Sequence, residues 1–320
     1  MTASSRPLRP ALTVAVPTFH RPMDLAEILP MLVAQVNAVR KGVSADVLVI
    51  DNDAEASAAE IAADLDPNIV RYVVEPRAGI AAARNRALDE SESRDVLVFI
   101  DDDERPSEAW LARLLETWRA HDVAAVTGPV ISIVDGPVDP WLAAGGIFDR
   151  LHRSTTPTGA DVASAATNNL LLDLNRVRRH GLRFADDLGL SGGEDTLFTR
   201  RLVAKGERIV WCGEAAVVEK VRPERVSRRW MLMRAFSYGT IDCRVARELA
   251  PDVAGRLMAR LRCLGNGIAR IGYGAARAGL GLVTASKRRQ ALGAQTSMRG
   301  VGLVLGALGY THQRYRARRG

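Results

Sequence analysis

The chain has 320 residues, 47% of them hydrophobic and 25% charged, with a mean hydropathy of −0.03. That composition supplies a large core and excludes a disordered or fibrous chain. The net charge of +7 hides an asymmetry, because residues 1–219 carry 23 basic and 33 acidic side chains, net −10, whereas residues 220–320 carry 21 and 4, net +17. An acidic front joined to a basic tail suggests a metal-using acidic site and a segment that meets phosphate, whether of a ligand, a membrane surface or a nucleic acid.

Cys212, Cys243 and Cys263 stand singly, without CxxC spacing, so neither a disulfide framework nor a zinc site is expected. The first residues, MTASSRPLRPALTVAVP, lack the apolar run of a secretory signal, and a cytoplasmic protein is expected. No stretch reaches the ~18–20 apolar residues of a spanning helix.

Short apolar runs alternate with helix-like segments, the α/β pattern. Leu12–Val16, Val47–Ile50, Ile69–Val74 and Val96–Ile100 read as buried parallel strands. Between the first two, Leu25, Ile28, Leu29, Leu32 and Val36 recur at helical spacing. Gly79–Glu90 and Ser107–His121 read as further helices, the second capped at Ser107. Past Val134 the pattern loosens, and Gly136–Gly159, rich in Gly, Pro and Thr, reads as loop. Ala166–Leu174 reads as a strand, Glu194–Ala204 as a helix, and Arg208–Cys212 with Ala215–Val218 as a strand pair. From Val226 onward the chain reads as helix.

The tail repeats with period seven: LGNGIAR (264–270), IGYGAAR (271–277) and AGLGLVT (278–284). At 100° per residue Leu257, Leu261, Leu264, Ile268, Ile271 and Leu282 share a face, with Arg256, Arg260, Arg270 and Arg277 elsewhere. The glycines weaken an isolated helix, so this one needs a surface to pack on. That surface is either an anionic membrane or the domain formed by the preceding residues. GNGIAR and GYGAAR lack the third glycine and the preceding strand of a dinucleotide loop.

Two acidic clusters carry the chemistry. In VLVFIDDDE (96–104), Asp101, Asp102 and Asp103 follow a strand, where three carboxylates repel one another unless a cation intervenes. Hard divalent ions take one or two carboxylates together with substrate phosphates. Extended backbone would point Asp101 and Asp103 to the same side. The alternative is an acidic turn capping the next helix. In GGEDT (192–196), Glu194 and Asp195 open a helix, where negative charge is favourable even without catalysis. A carboxylate there is also suited to act as general base on an acceptor hydroxyl.

The ordered set VAVPTFHRP (14–22), VLVIDND (47–53), EPRAGIAAARNRAL (75–88), VFIDDDE (98–104), TNNLLL (167–172) and GGEDTLFTRRL (192–202) resembles glycosyltransferase family 2, most of all its bacterial exopolysaccharide and cell-surface branch. The resemblance covers about residues 12–240. It implies an α/β, Rossmann-like GT-A sheet over residues 10–240, followed by a basic helical extension over 241–320. It implies inverting transfer from a nucleotide-sugar, commonly a UDP-sugar, to a glycan or lipid-linked acceptor. Pro17 and Thr18 would border the nucleotide, Asp51 would hydrogen-bond the base, and Arg84 would stand near base and diphosphate. Asp101 and Asp103 would be the ends of the DxD motif that holds Mg2+ or Mn2+, with Asp102 beside the donor. Asp195 would be the general base and Glu194 its acceptor-orienting neighbour. The family's processive QxxRW motif is reduced to VSRRW (226–230), with valine in place of glutamine, which points to a non-processive enzyme. Arg225 and Arg229 are candidates for closing over the diphosphate, or for a solvated helix face. The implied location is cytoplasmic and peripheral, on the inner face of the plasma membrane.

Two other readings compete. A nucleotidyltransferase would show a Gly-rich basic loop after the first strand, where this chain has VPTFHRP. A non-enzymatic membrane- or nucleic-acid-binding protein would leave the acidic clusters unexplained, and no nucleic-acid motif is visible.

Overall fold

In a computed structural model the described residues are 9–63, 65–146, 148, 156–189 and 192–310. The chain forms two compact units. The first comprises residues 1–131, 151–189 and 194–219, and the second residues 132–150, 190–193 and 220–320.

The first unit is built on a seven-stranded sheet of order β3-β2-β1-β4-β8-β6-β9. β1 (Ala11–Thr18) lies between β2 (Ser44–Asp51) and β4 (Val96–Ile100), parallel to both, and β3 (Val70–Val74) extends the parallel part beyond β2. β8 (Asn169–Asp173) is inserted antiparallel between β4 and β6 (Ala125–Thr127), and β9 (Ile209–Trp211) runs parallel to β6. Side-chain alternation divides the core into two layers. Leu12, Val14 and Val16 pack with α1 (Pro22–Val39) and α4 (Trp110–Ala120) on one face. Ala15, Leu97 and Phe99 pack with α3 (Ile80–Glu90) and α7 (Glu194–Ala204) on the other.

Three local expectations are corrected. Ser107 does not cap α4, which begins three residues later. The Ser107 amide donates to Ala216 O at 2.9 Å, tying the segment beside the pairing of β5 (Glu104–Pro106) with β10 (Val217–Val221) and delaying the helix. Within 136–159 the chain forms α5 (Pro140–Ala144), whose Asp139 cap accepts from the Trp141 amide at 2.8 Å and whose first residue is proline, a valid helix start. Finally, β9 and β10 do not pair with each other: β9 joins β6, and β10 joins β5.

β7 (Val130–Val134) and β10 each run from the first unit into the second. The second unit contains α5, α8 (Arg228–Glu248), α9 (Val253–Val283) and α10 (Lys287–Ala307). Ser227, Asp252 and Ser286 cap the three long helices through their side chains. Trp141, Leu142, Met231 and Ala291 form one small core, and Cys243, Cys263, Leu303 and Ala307 another. All three cysteines are free and buried. The glycine repeat packs α9 on α10: a Cβ on Gly267 would lie 2.8 Å from Gly300 O, one on Gly274 2.6 Å from Gly293 O, and one on Gly281 2.6 Å from the Gln290 amide. No described helix is long and apolar enough to cross a membrane.

Candidate active site

The strand order places the site. Strands β1, β2 and β3 step outward in one direction and β4 lies on the other side of β1, so the order reverses between β1 and β4. Ligands of open α/β sheets bind in the crevice outside the carboxyl ends of strands at such a point. Pro17 and Thr18 end β1, Asp51 ends β2, and Asp101–Asp103 follow β4.

The three aspartates do not continue as extended chain. A turn closes between Asp101 O and the Glu104 amide, 3.2 Å apart, so the expected alternation is replaced by a split. Asp102 and Asp103 meet one guanidinium, that of Arg21: its Nη1 lies 2.8 Å from Asp102 Oδ1 and 2.9 Å from Asp103 Oδ2. The Thr18 hydroxyl donates to Asp102 Oδ2 at 2.8 Å, fastening the end of β1 to this cluster. Asp101 faces the other way, 4.0 Å from Arg84 Nη2.

Arg84 is buried on α3, which starts at Gly79 with a φ of +119°. Its Nη1 donates to Glu194 Oε1 at the start of α7. Arg84 thus links the acidic turn after β4 to the Glu194–Asp195 pair, clusters separated by some 90 residues in sequence. Glu194 is buried, and its Oε2 has no hydrogen-bond partner among the described residues. Asp195 is half-buried and accepts from the Thr196 amide at 2.5 Å. Of the two carboxylates, Asp195 is the more accessible.

Asp51 is fully buried. Its Oδ2 accepts from the Ala58 amide and the Tyr72 hydroxyl, each at 2.8 Å, while Oδ1 is buried without a partner among the described residues. Arg225, half-buried in a turn, and Arg229, exposed in the first turn of α8, both belong to the second unit.

The acids after β4 are under-compensated. Burial, with Asp103 and Asp102 adjacent, outweighs the pull of Arg84 and raises the Asp101 carboxyl to about 7, although 37% of its side chain stays open to solvent. Burial also raises Asp102 against Arg21, and raises Glu104 well above its ordinary value. It raises Glu194 as well, despite Arg84. Acids elsewhere in the unit behave oppositely: Glu207, between Arg176 at 2.6 Å and His180 at 2.9 Å, is lowered by those hydrogen bonds in spite of burial.

The donor set fits a hard divalent ion that brings its own ligand phosphates. It is all oxygen, it is short of positive charge, and Asp101 is partly open. Among the described residues no three metal-binding side chains are arranged to hold an ion alone. A Mg2+ or Mn2+ would therefore take one or two carboxylates here and complete its shell from ligand and water.

Reading the sequence missed Arg21, Glu104 and Asn168. Asn168 Nδ2 donates to Glu104 Oε1 at 2.5 Å. Arg21 stands three residues after Thr18 in the loop leaving β1, and a cation in that loop was the available signal.

Comparisons with known proteins bear on family and fold. Residues 13–167 match the model of glycosyl transferase family 2, and residues 96–293 that of glycosyl transferase family group 2. The succinoglycan biosynthesis protein ExoM of Rhizobium meliloti is 39% identical over 245 residues, covering 75% of this chain and 76% of that protein. The glycosyltransferase AglE of Haloferax volcanii is 24% identical, covering 67% and 68%. Among solved structures, a mannosyltransferase from Pyrobaculum calidifontis, in complex with GDP-Man and Mn2+, superposes with a TM-score of 0.60 at 20% identity, covering 92% of this chain and 86% of that one. S. aureus TarS 1-349 in complex with UDP-GlcNAc gives a TM-score of 0.53 at 14% identity, covering 89% and 90%.

The fold is thus of the GT-A type, a mixed sheet with a helical C-terminal region. The chain belongs to glycosyltransferase family 2, and it is a glycosyltransferase.

Proposed function

We propose that this enzyme transfers a sugar, with inversion and without processivity, from a nucleoside-diphosphate donor, a UDP-sugar, to a glycan or lipid-linked acceptor in exopolysaccharide assembly. The relationship to ExoM and the likeness to structures holding UDP-GlcNAc or GDP-Man support the donor and acceptor classes. The observation that carries the mechanism is the link Asp101–Arg84–Glu194, which ties the acidic turn beside the crevice to the pair that opens α7.

In this reading Asp195 accepts the proton of the acceptor hydroxyl as that oxygen attacks the anomeric carbon. The bond to the nucleoside diphosphate breaks on the opposite face, and one base suffices. Glu194, held by Arg84, is assigned to orienting the acceptor, its Oε2 being unpaired among the described residues. Asp51, whose Oδ1 is unpaired among the described residues, is assigned to the base. Pro17 and Thr18 line the nucleotide side of the crevice, and Arg84 stands near the diphosphate. Asp103 and Asp101 would hold Mg2+ or Mn2+, with Asp102 beside them, and the ion when bound would supply positive charge to the diphosphate. Arg225 and Arg229 are assigned to the diphosphate. Catalysis is assigned to residues 10–240, and residues 241–320 to holding the enzyme at the anionic inner face of the plasma membrane.

Two variants test the reading. Asp195→Asn should keep donor binding and lose transfer ~10²–10⁴-fold, because an amide cannot take the proton. Asp103→Ala should lose Mn2+-dependent nucleotide binding, read as the thermal shift produced by UDP or GDP. Transfer near the unmodified rate in Asp195→Asn would move the base elsewhere. An unchanged Mn2+ dependence in Asp103→Ala would remove the metal assignment.

A further inference from the structure

The period-seven glycines divide α9 into two faces with different fates. Gly267, Gly274 and Gly281 are buried against α10, where backbone meets backbone. The other face stays open. Leu261 is 53% exposed, Ile268 60% and Leu282 70%, and the glycines between them, Gly265, Gly272 and Gly279, have nothing within 4 Å of a built Cβ. At 100° per residue these positions fall on one half of the helix. No charged side chain enters that half from Leu257 to Val283, ~39 Å of helix. Arg260 and Arg262 stand on its two borders, while Arg270 and Arg277 lie nearer the packed face.

An exposed apolar face of this length needs an occupant. The charges indicate which. From Val253 to the end of the chain there are 13 lysines and arginines and no aspartate or glutamate. A second copy of this face would set arginine borders against arginine borders. An anionic lipid surface complements them, taking the apolar side chains among its acyl chains and the guanidinium groups at its headgroups. α9 itself holds five arginines, and it lacks the apolar length and character of a spanning helix.

We propose that the outer face of α9, from Leu257 to Val283, is an in-plane membrane anchor for anionic lipid, supported from behind by α10 through the glycine contacts. The inference rests on the membrane placement of the basic tail given above and assigns it to one helix face.

The test is co-sedimentation of the full chain with vesicles of phosphatidylglycerol and phosphatidylethanolamine, and with vesicles of phosphatidylcholine alone, over a salt series. The expected result is binding to the anionic vesicles that falls as salt rises. Leu261→Ser/Ile268→Ser should weaken it ~10–100-fold through lost apolar burial. Arg260→Gln and Arg262→Gln should each weaken it ~5-fold. Both target residues of the first variant are already exposed, so its melting temperature should match that of the unmodified chain. Its Mn2+-dependent hydrolysis of nucleotide-sugar in solution should also be unchanged, which separates failure of the anchor from failure of the catalytic reading. The proposal is overturned if neither vesicle binds at low salt, or if both bind equally. It is also overturned if Leu261→Ser/Ile268→Ser binds as the unmodified chain does, or if that variant abolishes only self-association measured by sedimentation equilibrium.

Discussion

The turn after β4 and the helix pair α9–α10 are opposite solutions to crowding. The turn gathers Asp101, Asp102, Asp103 and Glu104 within four residues, with Arg21 and Arg84 bringing too little positive charge to hold them all ionised. The pair α9–α10 gathers backbone, with glycine facing glycine, and no acidic residue in either helix. Close approach in the turn is limited by electrostatics and relieved by a cation. Close approach in the helices is limited by sterics and relieved by removing side chains. A region that stores uncompensated charge is ready for a ligand; a region that has removed its side chains to pack is a fixed support.

The sharpest way to break the comparison is to remove the cation the turn already has. Arg21→Gln leaves Asp102 and Asp103 facing each other without their shared guanidinium. Losing one partner of a largely buried pair costs up to ~3–5 kcal/mol, and with Arg21 27% exposed the expected loss is ~1–3 kcal/mol. At ~2–4 °C per kcal/mol, the melting temperature should drop by several degrees. Mn2+ should then restore more stability than it gives the unmodified enzyme, because it enters an emptier site. An unchanged melting temperature, or an equal response to Mn2+, would show that the clamp carries no weight.

Arg21 also marks where the sequence stops being legible. The parallel strands, α7 at Glu194–Ala204 and the acidic clusters were readable because each is local: an apolar run, a helix start, a string of carboxylates. The split of the three aspartates was not. It depends on a turn closing at Glu104 and on cations delivered by the loop after β1, about 80 residues away, and by α3, about 20 residues away. The small helix α5 was hidden for a different reason, since Gly- and Pro-rich composition masked its Asp–Pro start. The tail repeat was visible as a pattern, but its partner was not. Period seven does not say whether α10, another domain or lipid covers a face.

The helical side of the comparison is sharpened by two alanines placed two residues apart. In an open helix interior, Gly→Ala gains ~0.5–1 kcal/mol. Gly272 has nothing within 4 Å of a built Cβ, so Gly272→Ala should raise the melting temperature by ~1–4 °C. At Gly274 the same methyl would lie 2.6 Å from Gly293 O and from the Ser297 amide. There the helices must separate, and overpacking costs ~1–3 kcal/mol. Calorimetry should give opposite signs for the two variants. Stabilisation by both would mean that the glycine face does not set the α9–α10 distance.

The remaining contrast is in pH. Asp101, Asp102, Glu104 and Glu194 all have carboxyls raised by burial, Asp101 to about 7. A carboxyl whose folded-state pKa exceeds its unfolded value keeps a proton that the unfolded chain has released. Its contribution to stability is therefore full below about 4 and is lost as pH rises through about 7. Glu207, lowered by Arg176 and His180, has the opposite dependence, so the total curve mixes both signs. The difference between Asp101→Asn and the unmodified chain removes that shared background. An asparagine does not ionise, so the variant should lose the Asp101 part of the downward slope between about pH 4 and about pH 7. At neutral pH it should melt higher than the unmodified chain. With over a third of the Asp101 side chain open to solvent, screening reduces the gain to ~1 kcal/mol, or ~2–4 °C. Saturating Mn2+ with UDP should flatten the same slope in the unmodified chain, since an ion that binds the carboxylate displaces its proton. If Asp101→Asn follows the unmodified chain at every pH, the turn after β4 is compensated after all, and its contrast with α9–α10 is one of composition alone.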